Sequence, residues 1–284
     1  MANAFANISL NQRVNDKSGS STNQLMSFFI PVICVILLYI AFLFVEIVYK
    51  YINRMTFNRV ELLPNTYTIG SKSITIKQDP LHGGTQLIHV SDNERTGIEF
   101  TYTFYINVDP STFSSTAGLL HIFHKGYTSQ FPLLAPGVYM RSDTNTLRVY
   151  MNTFKTWNNY IEIENIPLSK WVHVAIECKD NSLEIFINGN LSKKLSFDGF
   201  APYQNFQDLI CFSQASNIII KDNDSTIPVT GSLKGMMSRL TYYNYALCYA
   251  EIQKDMDKGP STKMDDSNMN DIPPYLADSW WVTK

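Results

Sequence analysis

The chain has 284 residues, and its 23 basic and 25 acidic side chains leave a formal net charge of −2. A hydrophobic share of 45% supplies a packed core and excludes wholesale disorder. So near-neutral a balance also lacks the basic stripe with which nucleic-acid binders neutralise phosphates. Residues 1–61 carry five basic and three acidic side chains and the remainder carries 18 and 22, an asymmetry that sets off an N-terminal segment.

Residues 1–24 are rich in Asn, Ser and Gln and show no hydrophobic period, the pattern of a flexible arm. From Leu25 to Val45 no side chain is charged. At about 1.5 Å per residue, such a run crosses the roughly 30 Å hydrocarbon core of a bilayer. The spacing predicts one transmembrane helix over 25–48, with Leu25, Phe29, Ile33, Leu37 and Phe44 as anchor residues against membrane lipid. Pro31 lies where a helix best tolerates it, and Tyr49 and Tyr51 follow as interfacial aromatics. A cleaved signal peptide would need a shorter apolar stretch and small residues at its cleavage site, which EIVYKYINR does not offer. Lys50, Arg54 and Arg59 follow the span closely, whereas Arg13 and Lys17 precede it at a distance. The positive-inside bias therefore puts the C-terminal side in the cytosol. Residues 49–69 read as a linker.

Short runs of alternating apolar and polar residues come next. In Ile98–Val108, the residues Ile98, Phe100, Tyr102, Phe104, Ile106 and Val108 share one face, as in a half-buried strand. Similar runs are Ser73–Lys77, Thr85–Val90, Gly118–His124, Thr146–Met151, Tyr160–Glu164, Trp171–Cys178, Ser182–Asn188, Asp208–Ser213 and Leu233–Tyr243. Ten or more strands without interleaved helices imply antiparallel sheets packed face to face. A short helix is expected at Ala246–Asp257, with Leu247, Ala250 and Ile252 along one side and Gly259-Pro260 ending it. Beyond a polar stretch comes IPPYLADSWWVTK. Pro273 and Pro274 keep it extended, and Tyr275, Leu276, Trp280 and Trp281 are candidates for docking on a partner or on the chain's own domain.

Two of these segments have a recognisable form. WVHVAIECKDNSLEIFINGN, from Trp171 to Asn190, is a W-x-H-V-A strand, a tight turn and a second strand closing on Asn-Gly. GSLKGMMSRLTYYNYALCYAEIQKDM, from Gly231 to Met256, is a closing strand followed by an A-L…E-I helical turn, and FTYTFYINV and LLHIFHKG precede both. Over about residues 70–258 the chain resembles the concanavalin A-like, laminin G-like jelly-roll superfamily. The order of membrane helix, jelly roll and PPYL…WW tail also resembles membrane-anchored virion proteins of large icosahedral DNA viruses. That likeness implies a place between an internal membrane and the capsid shell, among capsid or membrane proteins as partners.

Jelly rolls of this superfamily include glucanases, whose acids lie together on one strand so that two carboxylates flank the bond. Glu162 and Glu164 share a face here, but Asn165 and Ile166 supply no third acid, so a solvated strand face is expected. His121 and His124 are three apart on a strand and are expected on opposite faces, unable to share an ion. His173 reads as a partly buried structural histidine. Asp222, Asn223, Asp224 and Ser225 offer loop oxygens to calcium, or form an ordinary solvated turn. Cys34, Cys178, Cys211 and Cys248 have no C-x-x-C spacing and suit a reducing compartment, with a Cys211–Cys248 bridge as the alternative. Tyr127, Phe131, Tyr139, Trp157, Tyr203 and Phe206 lie in or near loops and suit sugar stacking or protein contact equally.

The sequence thus predicts an all-β fold, a concanavalin A-like jelly-roll β-sandwich of two antiparallel sheets preceded by a single N-terminal transmembrane helix. Its segments are an arm (1–24), a membrane helix (25–48), a linker (49–69), a jelly roll (70–258) and a docking tail (259–284). The expected function is a non-enzymatic structural virion protein linking an internal membrane to the capsid. The alternative is a membrane-displayed lectin-like module that binds glycans. No catalytic residue, cofactor, metal or nucleic-acid partner is expected.

Overall fold

The computed structural model describes residues 29–50, 52, 58–70, 72–81, 85–91, 98–128, 133–215, 218–222 and 225–265. The chain divides into two units, Met1–Phe57 and Asn58–Lys284.

In the first unit, α1 (Phe29–Lys50) has 22 residues, none of them buried by the protein. At about 1.5 Å per residue it is long enough, and apolar enough, to cross a bilayer. Phe29, Ile33, Leu37 and Phe44 are all exposed along it, whereas Leu25 and the arm lie outside the described residues. Near its end Glu46 and Lys50 pair at 2.7 Å, one turn apart.

The second unit is a sandwich of two sheets. The first has the order β1 (Arg59–Ile69), β14 (Gly235–Tyr243), β3 (Phe100–Val108), β8 (Trp171–Lys179), β9 (Ser182–Ile187) and β10 (Asn190–Ser196). The second has the order β12 (Ile218–Asp222), β13 (Ser225–Ser232), β4 (Leu119–Tyr127), β5 (Leu133–Arg141), β6 (Leu147–Met151) and β7 (Asn159–Ile163). The short strand β11 (Leu209–Cys211) joins β4 to β2 (Ile74–Ile76). Pairing is antiparallel, save that β13 runs parallel to β4 through Val229 opposite Leu119 and Ser232 opposite His121. Phe100, Tyr102, Phe104 and Ile106 of β3 and Val172, Val174 and Ile176 of β8 enter one core cluster with Ile122, Phe123, Val138, Met140 and Val149. Phe104 meets Phe123 edge-to-face at 5.4 Å between ring centroids. The turns follow their residues: Asp180 (φ 52°) turns β8 into β9, and Asn188 (φ 47°) with Gly189 (φ 75°) turns β9 into β10.

Four expectations change. The sandwich begins at Arg59 rather than 70, because β1 occupies much of the expected linker and pairs with β14. Thr85–Val90 is not a strand. Side chains satisfy its backbone instead, with Ile88 N–H donating to Gln78 Oε1 and Gln78 Nε2 donating to the Gln86 carbonyl. β3 is buried on both faces, since Thr101 Oγ1 donates to the Tyr245 carbonyl and Tyr105 Oη donates to that of Asp255. The helix α2 (Tyr249–Met256) supplies that cover, and its buried residues are Glu251, Ile252 and Asp255, with Ala250 facing solvent. Its inner side is polar because Asp255 accepts from Tyr243 Oη at 3.0 Å and from Lys258 Nζ at 2.6 Å, with His173 Nε2 at 3.5 Å. Burial alone would raise the Asp255 pKa, but the nearby His173 ring and the hydrogen bond from Lys258 hold it well below the carboxylate range.

Candidate functional site

Two segments meet at one end of the second sheet and present aromatic rings to solvent. The first is the turn 205–208. Lys125 is 1% exposed and donates from Nζ to the carbonyls of Asn205 and Gln207, each at 2.8 Å. Burial pushes its pKa down to about 8, against the opposing charge of Asp208. Asn205 Nδ2 returns a bond to the Lys125 carbonyl, Gln207 N–H donates to Asn205 Oδ1, and Gly126 N–H donates to the Asp208 carbonyl. Gly126 must be glycine, because a Cβ there would stand 1.8 Å from the Leu133 carbonyl oxygen. Between the two clamped carbonyls Phe206 is 73% exposed.

The second is the loop after β6. Thr153 N–H donates to the Thr156 carbonyl, Thr156 N–H donates back to Thr153 Oγ1, and Asn159 Nδ2 donates to Thr156 Oγ1 at 2.7 Å. Phe154, 70% exposed, is the residue this knot presents. Its N–H donates to the Ala201 carbonyl, and Tyr203 N–H donates to that of Asn152, which ties the loop to residues 201–203. The rings of Phe154 and Tyr203 meet edge-to-face at 5.2 Å, and Lys155 Nζ stands 4.4 Å from the centroid of Phe200. Tyr127, at the end of β4, is also exposed. Rings held on networked turns lose little entropy on binding, the property of a recognition surface.

Only part of this rim was expected. Tyr127, Tyr203 and Phe206 belong to it. Tyr139 is buried within the second sheet, Trp157 is half-buried against the Leu119–Tyr139–Tyr150 cluster, and Phe131 lies outside the described residues. Phe154, Phe200 and Lys125 were missed. The signal for Phe154 was its place inside T-F-K-T-W-N-N, a polar run that knots on itself; Lys125 stands in the Lys-Gly close of LLHIFHKG, which was read as the end of a strand and given no role.

The outer face of the second sheet carries a file of rings. His124, His121, Tyr139, Tyr150 and Tyr160 follow one another at 4.9 to 5.8 Å. The two histidines share a face, contrary to expectation, because the pairing with β5 slips between His121 and Phe123 and restores the alternation one residue late. Ser213 N–H donates to His121 Nδ1, so His121 Nε2 carries the proton and donates to His124 Nδ1 at 2.6 Å. His124 Nε2–H is then a buried donor with no acceptor among the described residues. Burial lowers both pKa values, that of His124 to about 4, and no group of three metal-ligating side chains occurs among the described residues.

Glu162 is not a solvated carboxylate. It lies 2.8 Å from Arg148 Nη2 and 3.6 Å from Arg141, and the Arg148 guanidinium stacks 4.4 Å from the Tyr160 centroid. Two arginines hold it as a structural acceptor. His173 is fully buried against Tyr105 and Asp255. Among the remaining candidates, Asn223 and Asp224 of the expected calcium loop, and Tyr275, Leu276, Trp280 and Trp281 of the tail, lie outside the described residues. All four cysteines are free; Cys178 and Cys211 are buried, which pushes both thiols far up, while Cys34 and Cys248 are exposed. A cleft of about 760 Å³ at the ends of β1, β3 and β14 is lined by Asp109, Ser169 and Lys234 among others, but by no aromatic ring. The rim therefore has the better surface for stacking.

No curated protein sequence matches the chain significantly. Similar solved structures include the receptor-binding domain of botulinum neurotoxin D, with 10% identity, TM-score 0.47, and coverage of 70% of this chain and 45% of that one. The binding domain of Paraclostridial Mosquitocidal Protein 1 has 14% identity, TM-score 0.40, and coverage of 70% and 47%. The sialidase of Trypanosoma rangeli has 12% identity, TM-score 0.39, and coverage of 58% and 24%. The match thus spans less than half the length of each of these chains, and the family rests on the sequence itself. Residues 82–253, more than half of the chain, match the family described as the concanavalin A-like lectin/glucanases superfamily, and the chain belongs to that superfamily.

Proposed function

We propose that the chain is a membrane-anchored, non-enzymatic lectin-like module that binds glycans on its aromatic rim. The observation that carries this reading is the pair of strongly exposed rings, Phe154 and Phe206, each presented by a hydrogen-bonded turn rather than by a loose loop. Aromatic faces stack on the apolar faces of sugar rings, and rigid presentation lowers the entropy lost on binding. The non-enzymatic part is supported by Glu162, whose carboxylate is engaged by Arg148 at 2.8 Å. α1 then acts as a retained single-pass anchor in lipid. A glycan array probed with the full-length chain in lipid nanodiscs tests the reading. Saturable binding to one sugar class, lost in Phe154→Ala and Phe206→Ala, is the expected result; binding to no glycan would refute it.

A second reading places the same module in an icosahedral virion, as a structural link between an internal membrane and the capsid shell. What favours it is the polarity of the rim, since Phe154, Phe200 and Phe206 carry no hydrogen-bonding group and suit a protein partner. Residues up to Asp265 are also tied to β1. Thr66 N–H donates to the Lys263 carbonyl, Asp265 N–H donates to that of Thr66, and Asp265 Oδ2 accepts from Asn65 and Tyr67. On this reading Tyr275, Leu276, Trp280 and Trp281 dock on a capsid or membrane protein. A chain truncated after Met269 should keep its melting temperature and fail to enter the particle; unimpaired entry would end this reading.

A further inference from the structure

We propose that Lys125 is a positioning residue of the aromatic rim, whose buried ammonium clamps the carbonyls of Asn205 and Gln207, brackets the two residues Phe206 and Gln207 between them, and so fixes the turn that holds the Phe206 ring out in solvent. The proposal rests on the reading of the rim as a recognition surface.

A fully buried lysine is rare, because its charge must leave water. Methionine would fill a similar volume without that cost but would leave two carbonyls without this donor, so the ammonium's distinctive contribution is to hold those two groups. What the ammonium supplies is direction. Its two acceptors belong to Asn205 and Gln207, separated by the single residue Phe206. The backbone between the two fixed carbonyls is that of Phe206 and Gln207, so the clamp restricts both residues while the Phe206 ring stays in solvent. The rest of the turn tightens the same geometry. Asn205 bonds back to the Lys125 backbone, and Asp208 is held by Gln78 N–H at 2.9 Å and Lys77 Nζ at 3.0 Å. These bonds fix the residues that flank Phe206, whose own ring is largely in water. A turn built only to close a sandwich would place a polar residue or glycine at its tip. Phenylalanine there costs solubility, and its rigid mounting is what a binding anchor needs.

The test uses the full-length chain in lipid nanodiscs and has two arms. In the first, amide hydrogen exchange is measured by mass spectrometry for Lys125→Met. Exchange across 205–207 should rise at least tenfold while the peptides of β3 and β8 keep their protection. Unchanged exchange at 205–207, or a rise throughout the sandwich, would overturn the proposal. Should Lys125→Met fail to fold, Asn205→Ala removes the reciprocal bonds of the same turn and should give the same local rise. In the second arm the array's best glycan is titrated against Lys125→Met, Phe206→Ala and the double variant. If Lys125 acts through Phe206, the double variant binds no more weakly than Phe206→Ala alone. Losses that multiply would overturn it. If the wild type binds no glycan, the proposed function falls, and the exchange arm alone decides whether Lys125 positions the turn.

Discussion

Acidification should destabilise the sandwich along a slope set by three buried groups. His121 and His124 are 1% and 2% exposed, and burial lowers both pKa values from 6.5, that of His124 to about 4. Between pH 6.5 and about 4 the unfolded chain therefore binds protons that the folded chain refuses, and stability falls with pH by up to about 1.4 kcal/mol per unit for each histidine. Glu177 opposes them. Burial, helped by Glu184 directly across the ladder, raises its pKa from 4.5 to about 7, so between these values the folded state holds a proton that the unfolded state releases. That contribution grows as pH falls, by a similar amount. At pH 5–6 two losses and one gain leave a net fall of about 1.4 kcal/mol per unit, or roughly 3–6 °C in melting temperature for a domain of this size. Thermal melts of the full-length chain in nanodiscs at pH 7, 6 and 5 measure the slope. Glu177→Gln should about double it, and His124→Gln should bring it close to zero. A flat profile in the wild type, or a slope that neither substitution changes, would refute the reasoning.

Three further outcomes follow from the packing. Ile185→Ala, at a fully buried position of β9, should cost about 2–5 kcal/mol by opening a cavity between the sheets, read as a lowered melting temperature. Asp255→Ala leaves Lys258, Tyr243 and His173 without their shared acceptor, so it should cost about 3–5 kcal/mol and raise the exchange of α2 amides before those of β3. Carbonate extraction should leave the full-length chain in the membrane fraction, and a chain from Asn58 onward, which keeps all of β1, should not float with membranes; full-length protein in the supernatant would contradict α1 as an anchor.

The strands that alternate cleanly were legible. β3, β8 and β9 carry apolar residues at every second position and turns of Asp, Asn and Gly between them, and these residues also carry the family likeness. Three of the strands that escaped break that rule for a physical reason. β1 contains Pro64 and two register shifts, which scramble its alternation. β5 contains Pro136-Gly137 and is buried on both faces, so no polar face marks it. β10 is a polar edge strand, with Lys193 and Lys194 in place of an apolar face. The slip in β4 that brings His121 to His124 depends on the partner strand and leaves no local trace. The rim was half legible for a similar reason. Composition marks loop aromatics, but which of them the fold exposes, and the lysine clamping one of them from 80 residues away, depend on long-range contacts.

The central claim is that the rim binds through its two exposed phenylalanines. Its most direct measurement is the affinity of the full-length chain in nanodiscs for the array's best glycan, by surface plasmon resonance, in the wild type, Phe154→Ala and Phe206→Ala. Loss of a hot-spot ring costs at least about 2 kcal/mol, so each substitution should weaken binding about thirtyfold while the melting temperature holds. Affinity unchanged in both variants would contradict the claim.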